Sequence, residues 1–381
     1  MAQNVDLARF KVAIIGCGRV SEKHIRAIAK LKDRLTLCAL VDTNQDAPSH
    51  LLSSCKRKIK KHQEFKASIK TFIDYKEMLS EIHPDIVAIT VPSGLHFQIA
   101  KDCLEFGCNI LLEKPMTMSN KSSRELYELA ESKGLKIAMG HIYRYFPIVN
   151  LLHEDMVNGI FGKAGHGSVV VRWGHGDDYY HQAAWRGTWK SDGGALMNQS
   201  VHALDLMCYL MNAEATNVYG MIAKRFRDME AEDTALGVYT FENGALCQVE
   251  GTTATFPNDH EASFFINAEK ASIRISLRKG KPSFSITTPK GRNLAFRYLR
   301  RYIKQNGLSY LIAVAKNPHY GIYFDLHHAI ASGTSPIADG RSGYKAVDMV
   351  LGFYRSVMKK AEVELPLSHE FKIEEMNKII L

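Results

Sequence analysis

The sequence predicts a two-domain α/β protein: an N-terminal doubly wound parallel sheet of the Rossmann type, then an α+β domain built on a large, mostly antiparallel sheet. Three observations predict it. At 381 residues the chain exceeds the usual size of one hydrophobic core. Through residue 146, apolar strand-like runs alternate with helical patterns, the arrangement that produces parallel sheets. From residue 147, strand-like runs follow one another with little helix between them. The expected units are residues 1–146 and residues 147–381.

In the first half the strand-like runs are Val12 to Ile15, Thr36 to Val41, Ile86 to Val91, Asn109 to Leu112 and Leu135 to Met139. Segments around Glu22 to Leu31, Tyr75 to Ile82, His96 to Phe106 and Lys121 to Lys133 supply the crossover helices. In the second half the runs are Gly167 to Trp173, Asn217 to Ala223, Thr234 to Phe241, Ala245 to Thr253, Ser263 to Asn267, Ser272 to Ser276 and Ser283 to Thr287. One helix, Val201 to Met211, is expected among them. Asn243-Gly244 between two runs signals a hairpin. Residues 290–320 are basic and aromatic and carry no assignable period. Tyr323 to Ala331 and Tyr344 to Met358 return to helical spacing and are expected to cover the second domain.

The first strand runs into Gly16-Cys17-Gly18-Arg19-Val20-Ser21 and a helical segment. Glycines there permit a tight turn and let backbone N–H groups at a helix start approach a pyrophosphate. The next strand ends in Asp42, 24 positions after Gly18, where a carboxylate meets the adenosine ribose hydroxyls and repels a 2′-phosphate. NAD is therefore expected rather than NADP, held by Gly16, Gly18, Arg19, Val20 and Asp42. Ser21 stands where the fingerprint has its third glycine and is small enough for the helix to pack closely on the strand.

The net charge of +9 is concentrated in two clusters: Lys56, Arg57, Lys58, Lys60 and Lys61, and Lys290, Arg292, Arg297, Arg300, Arg301 and Lys304. Such runs form solvated faces or attract anions through their field. No recognition motif accompanies them, so no nucleic-acid partner is expected. Seven cysteines without Cys-x-x-Cys spacing point to free thiols, no disulfides and no zinc or other metal. No segment approaches the ~20 apolar residues of a membrane span, and the N-terminal residues do not resemble a signal peptide. A cytoplasmic protein without a membrane partner is expected.

Three further motifs carry chemistry. Val91-Pro92-Ser93-Gly94-Leu95-His96 follows a strand and lies on the carboxyl edge of the sheet, where ligands bind in such folds. Glu113-Lys114-Pro115 follows the next strand and places an ammonium group on the same edge. Asp192-Gly193-Gly194 leads into a helix on which Asn198 and His202, four apart, share a face. Pro92, Ser93, His96, Glu113 and Lys114 are thus further cofactor candidates, and Lys114, His202 and Asn198 are candidates for catalysis.

In this order the motifs resemble the Gfo/Idh/MocA family of NAD(P)-dependent sugar oxidoreductases, whose pattern is a glycine-rich turn, a Glu-Lys-Pro, and a Gly-Gly stretch leading to a His. The resemblance spans nearly the whole chain. It implies that Lys114 and His202 flank the reacting carbon, that the bond before Pro115 is cis, and that the protein is a homodimer or homotetramer. The more common family pattern has Asp where this chain has Asn198. An amide neither gains nor loses a proton in this range, so Asn198 can orient a hydroxyl but not relay charge. Asp178-Tyr179-Tyr180, Ala184-Trp185-Arg186-Gly187-Thr188-Trp189, Gly193 to Gln199 and Asn317-Pro318-His319-Tyr320 are similar to the nucleotide-sugar 3-dehydrogenases of bacterial cell-surface polysaccharide pathways. That similarity implies oxidation of the C3 hydroxyl of UDP-N-acetylglucosaminuronate or UDP-N-acetylglucosamine.

Such an oxidation needs a base on the hydroxyl, and a His with an unperturbed pKa of roughly 6.5 suits proton transfer near neutrality, which favours His202. Lys114 is expected to hydrogen-bond the same oxygen and stabilise alkoxide charge. An anionic diphosphate demands donors, and Arg144 and Arg186 lie beside motif residues. Tyr180, Trp185, His319 and Tyr320 complete the expected substrate set. None of the 16 tyrosines has a Lys four positions later, which removes the short-chain dehydrogenases, and the scattered cysteines remove the zinc medium-chain enzymes. The residues leave open a dehydrogenase for an inositol or another sugar, a keto-sugar reductase, and a NAD-binding regulator without chemistry.

Overall fold

The structure is a computed structural model that describes residues 8–56, 59 and 69–379. Arg57, Lys58, Lys60 and Lys61 of the first basic cluster lie outside the described residues. In chain order the elements begin β1 (Phe10–Ile15), α1 (Ser21–Lys30), β2 (Leu35–Val41), α2 (Ala47–Cys55), β3 (Lys70–Phe72), α3 (Tyr75–Ile82), β4 (Ile86–Ile89), α4 (His96–Phe106), β5 (Asn109–Leu112), α5 (Asn120–Ser132) and β6 (Ile137–Met139). They continue with α6 (Val149–Val157), β7 (Ala164–Trp173), α7 (Asp177–His181), α8 (Val201–Met211), β8 (Ala215–Ala223), β9 (Thr234–Phe241), β10 (Leu246–Thr252), β11 (His260–Ala268), β12 (Ala271–Arg278) and β13 (Lys281–Thr287). The chain closes with α9 (Ala295–Asn306), α10 (Leu308–Lys316), α11 (His319–Ser332), α12 (Gly340–Lys359) and β14 (Val363–Glu364).

Two compact units result, each drawn from three stretches of chain. The first comprises the segment ending at Met116, Arg124–Tyr145 and Ile312–Arg341; the second comprises Thr117–Ser123, Phe146–Leu311 and the segment from Ser342. A single cut at residue 146 therefore does not describe the division.

In the first unit six strands lie in the order β3-β2-β1-β4-β5-β6, all paired in parallel. That is the order of a dinucleotide-binding sheet. Val12, Ala13 and Ile14 on β1 and all of β4 are wholly buried, as a parallel sheet covered on both faces requires. Helix α11 packs beside α1 in this unit: Asn317 donates to the Lys23 carbonyl (2.8 Å) and the Arg34 guanidinium lies over the Phe324 ring (4.8 Å). The spacing around Tyr323 to Ala331 correctly marks a buried helix, but periodicity does not say against which sheet it is buried.

The second unit holds an eight-stranded sheet in the order β13-β12-β11-β7-β10-β9-β8-β14. β7 and β10 pair in parallel and every other neighbouring pair is antiparallel. The turn between β9 and β10 uses Gly244 at φ +83°, as Asn243-Gly244 predicts. Phe353 of α12 lies against Gly220 and Gly237, where a Cβ would stand 2.3 and 2.4 Å from its ring. On alternate positions of the same strands Tyr219, Met221, Leu236 and Val238 are exposed, with Leu246 on β10. The segment 290–320 forms α9 and α10. Arg301 on α9 bonds Asp155 (2.7 Å) and Glu154 (3.0 Å) on α6, so this member of the second basic cluster is an anchor.

Candidate active site

The turn after β1 has the features a dinucleotide needs. Gly16 adopts φ +95°, and a Cβ there would come within 2.8 Å of the Thr90 carbonyl group, so glycine is required. At Gly18, by contrast, a Cβ would meet nothing within 4 Å; the space over the turn is open to a ligand. Helix α1 starts without a side-chain cap; its Ser21 and Lys23 N–H groups donate to the Gly18 and Val20 carbonyls (3.3 and 2.9 Å), and the positive end of the helix dipole favours an anion there. Ser21, in place of the third glycine, is fully buried and its hydroxyl donates to the Gly18 carbonyl. The Asp42 carboxylate accepts the Cys17 N–H (2.8 Å) and the Asn44 N–H (2.9 Å), which holds it beside the turn. Burial, reinforced by Asp42, pushes the Cys17 thiol up to about 12, so it adds no competing charge. Open space, a helix N-terminus and a fixed carboxylate fit NAD. Asp42→Ala is expected to weaken NAD binding by roughly 10- to 100-fold, the worth of a hydrogen bond to a charged group, and to narrow the preference over NADP; calorimetric titration of both nucleotides checks this.

On the same edge, Pro92 and Ser93 open a 3-10 turn after β4, and the Lys114–Pro115 peptide is cis. His96 is buried with its ring nitrogens 2.8 Å from the Pro115 carbonyl and 3.0 Å from that of Val91. Burial lowers its pKa, and the neutral ring donates to one of the two. The ring thus lies between the two ligand-edge loops. Glu113 Oε1 lies 3.1 Å from His24 Nε2 and 3.1 Å from His319 Nε2. Burial by itself would raise this carboxyl, but the imidazoles beside it hold it well below the usual carboxylate range. Burial and then His24 hold His319 down to about 4. Glu113 Oε1 is thus engaged by two protein imidazoles.

Three residues expected to meet substrate are placed in the first unit and engaged there. Arg144 is buried and donates to the Ile337 carbonyl (2.7 Å). His319 faces Glu113. Tyr320 lies between Lys30 (5.7 Å) and Phe324 (6.4 Å).

The second unit builds its polar cluster around the Gly-Gly stretch. A Cβ on Gly194 would stand 1.8 Å from Glu232 Oε2. Glu232 is buried beneath the turn: its backbone carbonyl accepts the Ala195 N–H (2.9 Å), and Oε1 accepts the Leu196 N–H (2.9 Å) and the Tyr354 hydroxyl (2.8 Å). Burial raises its carboxyl to about 8. Leu196–Ser200 is one π-helical turn, and α8 follows directly. Asn198 and His202, both half-buried, therefore straddle a change of helix type.

Asn198 donates to Asp192 Oδ1 and accepts from Gln199 (2.8 Å). Gln199 reaches His175 (3.4 Å), which stacks on Tyr179 at 3.8 Å and 6°. The Arg186 guanidinium lies 4.2 Å from the Tyr179 ring and 5.5 Å from that of Trp185, and bonds the Tyr179 carbonyl (2.7 Å). Tyr180 donates to Thr253 (2.8 Å). Asn198, Trp185, Arg186 and Tyr180 thus come together around His175 and Gln199. Sequence reasoning missed those two and Glu232; the Gly-Gly pair was the available signal that a bulky group lies close beneath. Arg172, another guanidinium on this sheet, is held by both oxygens of Glu250 (2.6 and 2.7 Å).

A Rossmann sheet with this turn, joined to a second unit with a large mixed sheet, defines a NAD-dependent oxidoreductase. The profile described as "Oxidoreductase family, NAD-binding Rossmann fold" matches residues 10–141, and that of the GFO/IDH/MocA C-terminal domain matches residues 150–274. The chain belongs to the Gfo/Idh/MocA oxidoreductases. Its fold is similar to that of the WlbA dehydrogenase from Bordetella pertussis in complex with NADH and UDP-GlcNAcA, with a TM-score of 0.81 and 26% identity, covering 95% of this chain and 99% of that one. The D-glucoside 3-dehydrogenase of Escherichia coli is 23% identical over 93% of this chain and 97% of its own length. The UDP-N-acetylglucosamine 3-dehydrogenase of Acidithiobacillus ferrooxidans is 22% identical over 64% of this chain and 67% of its own.

Proposed function

We propose that the protein oxidises the C3 hydroxyl of a UDP-N-acetylhexosamine or its uronate, in the cytoplasm, as a step of cell-surface polysaccharide synthesis. The similarity to a dehydrogenase crystallised with UDP-GlcNAcA, extending over 95% of the chain, carries this reading. Bound NAD⁺ supplies the acceptor for the hydrogen and electron pair that leave the carbinol carbon. His202 takes the hydroxyl proton, and Lys114 donates a hydrogen bond to the oxygen as charge develops on it. Asn198, its amide oriented by Asp192 and Gln199, positions a neighbouring hydroxyl without relaying charge. Arg186, stacked with Tyr179 and Trp185, offers a planar cation beside aromatic faces for the sugar nucleotide. The exposed apolar side chains on β8, β9 and β10 form the face through which copies of the chain associate. Among the described residues no helix is long and apolar enough to cross a membrane.

A second reading is favoured by the likeness to D-glucoside 3-dehydrogenase, which covers the chain almost completely: the same carbon oxidised on a sugar without a nucleotide. Absorbance at the NADH band separates the two. Purified protein with NAD⁺ is mixed in turn with UDP-N-acetylglucosaminuronate, UDP-N-acetylglucosamine, a simple D-glucoside and myo-inositol. A signal with a UDP-sugar is expected. Turnover of the glucoside alone selects the second reading, and silence with all four overturns both.

A further inference from the structure

His24, Glu113 and His319 converge within the first unit and take no part in the chemistry proposed above. They come from α1, from the end of β5 and from the start of α11. His24 and His319 are buried, and the Glu113 side chain is 12% exposed. One donor atom from each lies within 4.8 Å of the other two, and both imidazole Nε2 atoms stand 3.1 Å from Glu113 Oε1. Two donors bound to one tetrahedral zinc at ~2.0–2.1 Å lie about 3.3 Å apart. The two spacings to Glu113 Oε1 are close to that.

Each imidazole is also oriented from behind. Tyr323 Oη is 3.1 Å from His24 Nδ1, and Asn317 Oδ1 is 3.2 Å from His319 Nδ1. Such outer partners fix the tautomer of metal-binding histidines. The Asn317 amide is unambiguous, because its nitrogen donates to the Lys23 carbonyl (2.8 Å) while its oxygen accepts the His319 backbone N–H (3.3 Å). With Nδ1–H donating to Asn317 Oδ1, His319 Nε2 presents the lone pair that a metal ligand needs. His24 Nδ1–H donates likewise to Tyr323 Oη, which leaves the Nε2 lone pair for the ion.

We infer that His24 Nε2, Glu113 Oε1 and His319 Nε2 bind one divalent transition metal ion of the zinc class. Imidazole and carboxylate donors suit such ions. The ion pins the starts of α1 and α11 to the end of β5, one residue before Lys114. The expectation of no zinc rested on cysteine spacing, which a site of this kind does not use.

The test is metal content and affinity of the untagged full-length protein, independent of whether any sugar is turned over. After dialysis against Zn²⁺ and removal of free metal, about one equivalent is expected per chain, and Co²⁺ in its place is expected to give ligand-field absorption. His319→Gln and Glu113→Gln should each weaken Zn²⁺ binding at least ~100-fold. Asn317→Ala, which leaves all three ligands in place, should weaken it ~10- to 100-fold. Wild-type protein that retains under ~0.1 equivalent, or His319→Gln protein that is folded and binds Zn²⁺ as wild type does, overturns the inference.

Discussion

Lys114→Met is expected to lower kcat for sugar oxidation by about three orders of magnitude. Removing one donor aimed at a developing oxyanion costs ~10²–10³ in rate, and loss of a participant in proton transfer a comparable factor. Methionine keeps most of the side-chain length and removes the charge, so NAD affinity in a direct binding measurement should change little. His202→Asn should fall within the same range. Because the two act on one proton transfer, the double variant should be little worse than the slower single one. Retention of more than about a tenth of wild-type kcat in Lys114→Met would remove Lys114 from the reaction.

The second large effect concerns Glu232. Its carboxyl is raised by burial to about 8 in the folded protein, against roughly 4.3 in an unfolded chain. Between these values the folded state holds a proton that the unfolded state has lost. Stability contributed by this group is thus fully present below about pH 4 and declines as the pH rises to about 8, with a slope approaching ~1.4 kcal/mol per pH unit. Glu232→Gln is expected to abolish that component, so the variant should gain on wild type steadily across this window. At pH 5 it should be close to wild type, since a protonated carboxyl and an amide make similar demands at the same buried spot. Denaturant unfolding at pH 5, 6, 7 and 8 measures the difference directly. Parallel pH profiles for the two proteins would show that Glu232 is ionised when folded.

Local sequence was sufficient for the parallel sheet because its strands are read one at a time: β1, β4 and β5 are continuous apolar runs, buried on both faces. It was sufficient to place Gly16 and Gly18 in a turn and Asp42 beside it, because both are fixed by the strands that carry them. The short β3, Lys70–Phe72, has too few residues to show a period. What could not be read were pairings across the chain. Glu113 looks like a ligand-edge carboxylate until α1 and α11 bring His24 and His319 to it from 89 positions before and 206 after. His319 and Tyr320 follow a motif that suggests substrate contact, yet the packing of α11 beside α1 places them in the first unit. The π turn at Leu196–Ser200 was equally silent; the Leu196 N–H at its start donates to Glu232, 36 positions along the chain. In each case the deciding contact is long-range and has no local signature.

The interleaving of the two units bears on how the protein is made. A nascent chain emerges from its N-terminus, and all six strands of the Rossmann sheet are available once residue 139 has left the ribosome. The helix that lies beside α1 is translated only after β7 to β13 have appeared. Vectorial folding, in which an upstream domain is finished before the next begins, is therefore denied to this molecule. Until the second sheet has been synthesised the nucleotide fold lacks the helix that lies beside α1, and a fragment cut at residue 146 would lack it permanently.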